Sequence, residues 1–568
     1  MPKGTASSSS PEATRDPAVR TREKLGLHDL FVVLAAVATF ARGVANPLVR
    51  GWDDGRFLVD FEPVQSISLD HLVAMFREPH FEAYHPLHLL SYWLDVPFAG
   101  ANGPVLHATS LALFALALVL VRRVFLGLGL ARLPALVATL AYGLHPAQVE
   151  AVSWATGRKE IVALALACGA ILLHLRSESP WSARAWGSRA LYVLAALAKT
   201  TVLPLPLVLF LADVLLKPEG TWRERIRRGA LTHAPTLGIG IGFGFVVWSI
   251  WESSQMVRPG LEGAGPLMLV ASTVTHHVGH ALAPFGSSPV YPIHRDLTAF
   301  GFVDVLGPLA LALGLALPSP RARFSLLAFV VLLLPVSNLV PLYFEVQDRY
   351  LCLPLLPLAF GFGALVDPTP SRTRVGLALA YVAFFAVLTV RYEAAWNGDG
   401  ALWRHAVQAQ PEADFAWLKL GETLRDEALV QEGDEARLTF DRSIDAYDRA
   451  IRLAPSLLVP HVARLRVLAH RDELLHEIAP SRAAEFSTRY GTNQANAEGL
   501  KDLASEMLEL GYRDAALVPL GRALDLDPLP QELLENAARV QLERGHEWLA
   551  RFYVSRLPAP SADPRLSF

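Results

Sequence analysis

Cysteine is nearly absent: the 568-residue chain holds two, Cys168 and Cys352, both inside apolar runs. That excludes a disulfide framework and any CxxC-based metal site. Lysine is scarce as well, seven of the 51 basic residues, an arginine bias that fits a GC-rich bacterial coding sequence. Charge of either sign is thin. Charged residues make up 18% of the chain and the formal net charge is −3, so no basic footprint for nucleic acid is present. What is plentiful is apolar side chain, 52% of residues, with a mean hydropathy of +0.32. A soluble globular chain reaches about 45–50% only when glycine is counted. A disordered protein, a collagen and an ordinary soluble enzyme are therefore excluded.

The charge that exists is unevenly placed. Residues 393–568 carry 20 basic and 29 acidic side chains, against 31 and 25 in the remaining 392 residues. The C-terminal part is about twice as densely charged, so the two parts are built for different solvents. Ahead of it, apolar runs recur from 28–46 to 374–392, and a spanning helix needs roughly 20 largely apolar residues. Basic residues cluster in five loops: Arg122, Arg123 and Arg132; Arg176, Arg184 and Arg189; Lys217 to Arg228; Arg321 and Arg323; Arg372 and Arg374. If the N-terminus is cytoplasmic and 266–285, with His276, His277 and His280, does not cross, every cluster faces the cytoplasm. The expectation is an all-α protein with about eleven transmembrane helices, integral to a bacterial inner membrane. Its divisions are a polar segment 1–27, a membrane domain 28–392 with a first outer loop 47–104, and an extracytoplasmic domain 393–568. In the outer loop, SLDHLVAMFREP predicts a short amphipathic helix, capped by Ser68 and ended by Pro79, able to lie on a membrane surface.

The C-terminal part repeats a helical pattern. Trp417, Leu420, Gly421 and Leu424 open a tetratricopeptide-like unit that Tyr447, Ala450 and Pro455 close, with an insertion near 428–437. A second unit runs from Leu500 to Pro528, and a third follows with Leu534, Ala538, Gly545 and Ala550. Helical repeats bury their faces on one another, and peptide binding or packing is their default role, with a protein or glycan acceptor as the partner they could hold.

Residues able to carry chemistry gather at the outer boundaries. Asp53 and Asp54 follow the first span; adjacent carboxylates point in different directions, so one can face a cleft while the other anchors the loop. A carboxylate there suits a general base toward a hydroxyl; the plainer reading is a DDG turn. In HPAQVEAVSWATGRKE, 145–160, His145, Glu150 and Arg158 sit at one membrane depth, where charges are costly unless paired or wet; interfacial snorkelling is the alternative. Lys199 tips a short hairpin, placed to meet a phosphate or to snorkel. Asp348 and Arg349 occupy another outer boundary, where Arg349 can clamp a phosphate or pair with Asp348. Tyr84 and His85 mark the loop's return to the membrane. His276 and His280 share a helix face but lack a third ligand, so no metal is expected.

These pieces in this order, WDD at 52–54, YHPL at 84–87, HPAQVEAVSWATGRKE, AKTT at 198–201, PFGSSPVYP at 284–292 and DRYLCLP at 348–354 ahead of helical repeats, resemble the tetratricopeptide-repeat transmembrane O-mannosyltransferase family of the type C glycosyltransferases. The resemblance implies a membrane enzyme that moves a hexose from a polyprenyl-phosphate sugar to a hydroxyl, a protein Ser or Thr, with inversion. The donor lipid is the only cofactor-like partner implied. By position Asp53 is the catalytic base, with Asp54 second; Arg158, Lys199 and Arg349 bind the donor phosphate; Tyr84, His85, His145, Glu150 and Asp348 shape the cleft. Two other readings stay open: transfer to a glycolipid or envelope glycan, and a non-catalytic membrane scaffold. A transporter would carry paired inverted halves, and none are visible.

Overall fold

The computed structural model describes residues 25–454 apart from 81–83, 218, 254–264, 293–299, 341 and 368–370, together with parts of 459–508 and most of 531–566. Among the described residues there are helices and turns and no strand. The chain separates into two units, up to His405 and from Ala406.

The first unit contains the apolar runs, and each forms a helix. Among the described residues four are long and apolar enough to cross a membrane: Leu27–Ala45, Gly103–Gly127, Trp222–Ile250 and Arg372–Trp396. The second of these, α4 below, shows why. Asn102 caps it by accepting from the Val105 N–H at 3.3 Å, a proline follows in the first turn, and the helix, largely apolar apart from Arg122 and Arg123, is 25 residues long, roughly 37 Å against a hydrocarbon core of about 30 Å.

In chain order the elements are α1 (Leu27–Phe40), α2 (Leu69–Arg77), α3 (Pro86–Leu90), α4 (Gly103–Gly127), α5 (Arg132–Gly143), α6 (Val149–Ser153), α7 (Arg158–Leu175), α8 (Ala183–Ala198), α9 (Leu205–Leu215), α10 (Trp222–Ser253), α11 (Gly265–Leu282), α12 (Leu306–Leu315), α13 (Pro320–Leu333), α14 (Leu355–Val366) and α15 (Arg372–Glu393). Several expected spans are short: α5, α9, α12 and α14 have 10 to 12 residues, below what a single crossing needs.

One ionic clamp ties the first two long helices. Asp29 of α1, 3% exposed, receives Arg122 at 2.7 Å and Arg123 at 2.5 Å from α4. Burying three charges is tolerable only because each carboxylate oxygen has its own guanidinium.

The first outer loop has its own small core of Leu58, Val64, Met75, Leu89, Tyr92 and Val96, packed on Leu106 and Ala155. Helix α2 begins as its sequence requires, with the Ser68 Oγ accepting from the His71 N–H at 3.1 Å. Met75 points into the core, whereas Leu69, Val73 and Phe76, spaced to share one face, are exposed at 74%, 50% and 36%.

In the second unit the expected first repeat is a helical hairpin of Asp414–Ala428 and Gly433–Leu453. Gly421 lets the helices close: a Cβ there would lie 2.7 Å from the Tyr447 ring. Ser443 Oγ donates to the Gly421 carbonyl at 2.7 Å, and Leu418, Phe440, Ile444, Tyr447 and Ala450 fill the seam. The expected insertion is absorbed by the turn and the first turns of a 21-residue second helix. Most of the expected second repeat lies outside the described residues. The third appears as helices Gln531–Glu543 and Glu547–Val554, with Leu534, Ala538 and Ala550 fully buried.

Candidate functional site

The outer motifs, far apart in sequence, are in contact. WDD lies not on a DDG turn but in a π-helical segment, Arg50–Val59, broken at Trp52, and its two carboxylates point apart. Asp54 is fully buried and points inward: one oxygen accepts from the Thr156 N–H at 2.9 Å and its hydroxyl at 2.6 Å, the other from the Val49 N–H at 2.9 Å. It staples the loop to ATGRKE. Burial pushes its carboxyl up to about 7, while the three donors pull the other way. Asp53 is half-buried and points elsewhere; its carboxylate has no hydrogen bond or ion pair among the described residues. Its charge acts on Lys159 and Arg349. The Gly51 N–H is held by Asp399 at 2.9 Å, which fixes the turn from its other end.

Arg158 and Lys159, adjacent on the first turn of α7, have opposite fates. Arg158 is 0% exposed and all its nitrogens are engaged, with both oxygens of Asp95 at 3.1 and 2.6 Å, Ser110 Oγ at 3.0 Å, and the carbonyls of Ser91 and Leu106 at 3.2 and 2.9 Å. It braces the outer loop against α4 and has no donor left for a ligand. Lys159 is half-buried, and its ammonium sits over the rings of Trp154 at 5.0 Å and Phe57 at 5.7 Å, with no acceptor among the described residues. Nothing in the spacing of the sequence singled out Lys159. Which of two neighbouring cations faces inward depends on the azimuth of α7 against α4, a tertiary quantity.

Across Trp154 lies Arg349, its guanidinium 5.0 Å from the ring centroid, so the indole is flanked by two cations. Arg349 also stands over Trp52 at 5.8 Å and donates to Glu150 Oε2 from its backbone at 3.2 Å and its side chain at 3.3 Å. Both Trp52 and Trp154 are buried, and Trp52 packs on Phe344 and Trp403 at 5.4 Å each. The aromatic walls exclude water and strengthen every charge they enclose. Glu150 Oε1 is buried without a partner; burial pushes this carboxyl up, and Arg349 holds it down.

Lys199, buried, pairs with Glu160 of α7, so its charge is spent on that helix. His85 lies near Lys159 and Lys199; burial first, then these two cations, keep its imidazole well below its ordinary pKa. Tyr84 is turned away from this cluster, donating to the Phe76 carbonyl at 2.8 Å.

His145 caps the turn after α5: Nδ1 accepts from the Ala147 N–H at 3.1 Å and Nε2 donates to the Ala281 carbonyl at 3.2 Å. Both ring nitrogens are used by the neutral form, and burial pushes the pKa down to about 3. Asp348 accepts from Tyr291 of PFGSSPVYP at 2.5 Å and from His280 at 3.0 Å. Burial works to raise its carboxyl, but His280 and the Tyr291 hydroxyl hold it below the usual range. Of the α11 histidines, His280 serves Asp348 while His277 bonds the Thr273 carbonyl, and Tyr291 and Asp348, far apart in sequence, belong to one buried network.

The residues sort by role: Asp54, Arg158, Lys199, His145 and Asp348 hold segments together, whereas Lys159 and Arg349 stand over Trp154 and feel the charge of Asp53. Long apolar helices topped by such a buried ionic cluster define the chain as an all-helical membrane protein. Compared with known proteins, it matches no family model and is significantly similar to no curated sequence.

Proposed function

We propose that the protein is a membrane glycosyltransferase that moves a hexose, mannose by the family resemblance, from a polyprenyl-phosphate donor to a hydroxyl acceptor with inversion. The observation that carries this reading is the half-buried carboxylate of Asp53, with no hydrogen-bond or ion-pair partner among the described residues, whose charge acts on Lys159 and Arg349. Asp53 takes the proton of the acceptor hydroxyl as its oxygen attacks the anomeric carbon. The bond from that carbon to the phosphate oxygen breaks on the opposite face, and the phosphate leaves with the charge it gains. Lys159 and Arg349 stand where that charge is met: Arg349 offers a planar fork, Lys159 a point charge. Arg158 and Lys199, first choices by position, act one step back by holding the loop and α7.

In this reading the eleven apolar runs cross or pair into crossings, with the N-terminus cytoplasmic. The 393–568 unit lies outside, presenting a protein Ser or Thr acceptor through tetratricopeptide-type repeats. A glycolipid or envelope glycan acceptor uses the same chemistry. A non-catalytic scaffold is disfavoured by the unpartnered Asp53. The test is transfer from radiolabelled polyprenyl-phosphate mannose or glucose in membranes containing wild type, Asp53→Ala or Lys159→Met. Label lost with Asp53→Ala at equal protein level supports the proposal; equal label in both sinks the assignment.

A further inference from the structure

A second cluster lies at the other end of α7. His174 is 15 residues beyond Lys159, roughly 22 Å along the helix at 1.5 Å per residue. There its Nε2 approaches Asp213 Oδ1 of α9 at 3.2 Å, and His233 Nε2 of α10 approaches Asp213 Oδ2 at 2.9 Å. The three ligand-type atoms lie within 4.8 Å of one another, and the side chains are 10%, 15% and 8% exposed. The imidazole rings are 4.9 Å apart, centroid to centroid. None of these residues touches the outer site.

Two features point beyond a hydrogen-bonded carboxylate. A small cavity of about 30 Å³, room for about one water, opens on the cluster, lined by both histidines, Ser188, Arg189, Tyr192 and Thr236. Arg189 in its wall is 6% exposed and its Nη1 is buried with no partner, so the cavity presents an unused cationic donor to whatever fills it. The third group on Asp213, Lys217, reaches Oδ1 at 2.7 Å with a side chain 55% exposed, so it can swing into water at little cost.

We propose that His174, Asp213 and His233 form a site for a zinc-class divalent cation, distinct from the transfer site. Two imidazoles and a carboxylate suit zinc, and three protein ligands leave a fourth position open. Here that position faces the cavity, where a water or a small anion held by Arg189 completes the shell. The ion displaces Lys217, which in its absence supplies the positive charge on Asp213. Each ring then carries its proton on Nδ1, so acid opposes binding. The ion joins α7, α9 and α10 from one end.

The test uses the full chain, purified in detergent without metal and dialysed against Zn²⁺, with elemental analysis as readout. Wild type and Asp53→Ala are expected to hold one ion each. Co²⁺ is expected to give the visible absorption bands of a four-coordinate site. His233→Ala and His174→Ala should each weaken binding by more than the roughly 10–100-fold typical of losing an outer-shell partner. Lys217→Ala, on an exposed side chain, should bind more tightly by removing the competing charge. Less than one ion at tenfold excess in wild type, equal zinc in the histidine variants, or an unchanged affinity in Lys217→Ala would each overturn the site. Loss of sugar transfer from Asp53→Ala with zinc still bound would separate this inference from the proposed activity.

Discussion

The two adjacent carboxylates offer a matched pair of substitutions with opposite expected outcomes. Asp53→Ala breaks no hydrogen bond or ion pair, so folding should change within about 0.5 kcal/mol, as for substitutions away from buried features. Asp54→Ala removes the acceptor of three buried donors, the N–H groups of Val49 and Thr156 and the Thr156 hydroxyl. A buried donor left without a partner costs about 1–3 kcal/mol. The Thr156 hydroxyl can rotate to another acceptor, but the two backbone groups cannot, so the expected loss is about 2–5 kcal/mol. That range holds whether or not the carboxyl is protonated, because the donors lose their acceptor either way. Thermal unfolding in detergent, read by fluorescence-detected size exclusion, measures stability; label transfer in the same preparations measures function. Asp53→Ala should unfold with wild type and transfer about 10²–10⁴-fold more slowly, the usual contribution of a general base. Asp54→Ala should unfold earlier, its activity falling with the amount of folded protein. If Asp53→Ala unfolds as early as Asp54→Ala, or transfers normally, the division of roles is wrong.

Three further outcomes follow from the same contacts. Lys159→Met should leave the melting temperature unchanged but cost about 1.5–3 kcal/mol of donor binding, a 10- to 100-fold rise in donor KM, whereas Arg158→Met, which leaves buried Asp95 without its cation, should lose about 3–5 kcal/mol of stability. His145, neutral when folded with its pKa near 3 and about 6.5 when unfolded, binds more protons in the unfolded state, so stability should fall as pH drops below about 6.5. At pH 5.5 the His145 share of that loss is about 1.4 kcal/mol, and His145→Asn, which keeps a capping oxygen, should make the slope in melting temperature against pH shallower by that share, leaving the part that His85 contributes. Gly157→Ala would place a Cβ 2.2 Å from the Glu150 carbonyl, an overpacking against backbone that should cost at least about 3 kcal/mol and be read as lost folded protein on size exclusion.

Much of the architecture was legible because hydrophobicity and capping act locally. The apolar runs became helices, Ser68 became a cap, and Trp417, Gly421 and Tyr447 marked a hairpin seam. The contrast between Asp53 and Asp54 was legible in kind, since adjacent side chains point in different directions. What sequence could not supply was azimuth. Arg158 and Lys199 read as phosphate ligands until tertiary packing supplied Asp95 and Glu160, while Lys159, which carried no reading, lies over Trp154. The His174, Asp213 and His233 cluster joins residues up to 59 positions apart on three helices, with no local spacing to reveal it. Helix length also escaped, since apolar composition alone does not say where α5 or α14 will stop.

The clamp between Asp29 and the pair Arg122 and Arg123 gives those arginines two jobs at different times. On the proposed topology, with a cytoplasmic N-terminus, the guanidinium groups are bare charges while the chain is being threaded, before α1 and α4 have met, and they would resist translocation. Once the helices associate, the same groups are consumed as a latch on Asp29. Replacing Asp29 would therefore spare the direction of insertion but leave two buried cations uncompensated, turning a correctly threaded chain into one that the cell's membrane proteases can recognise.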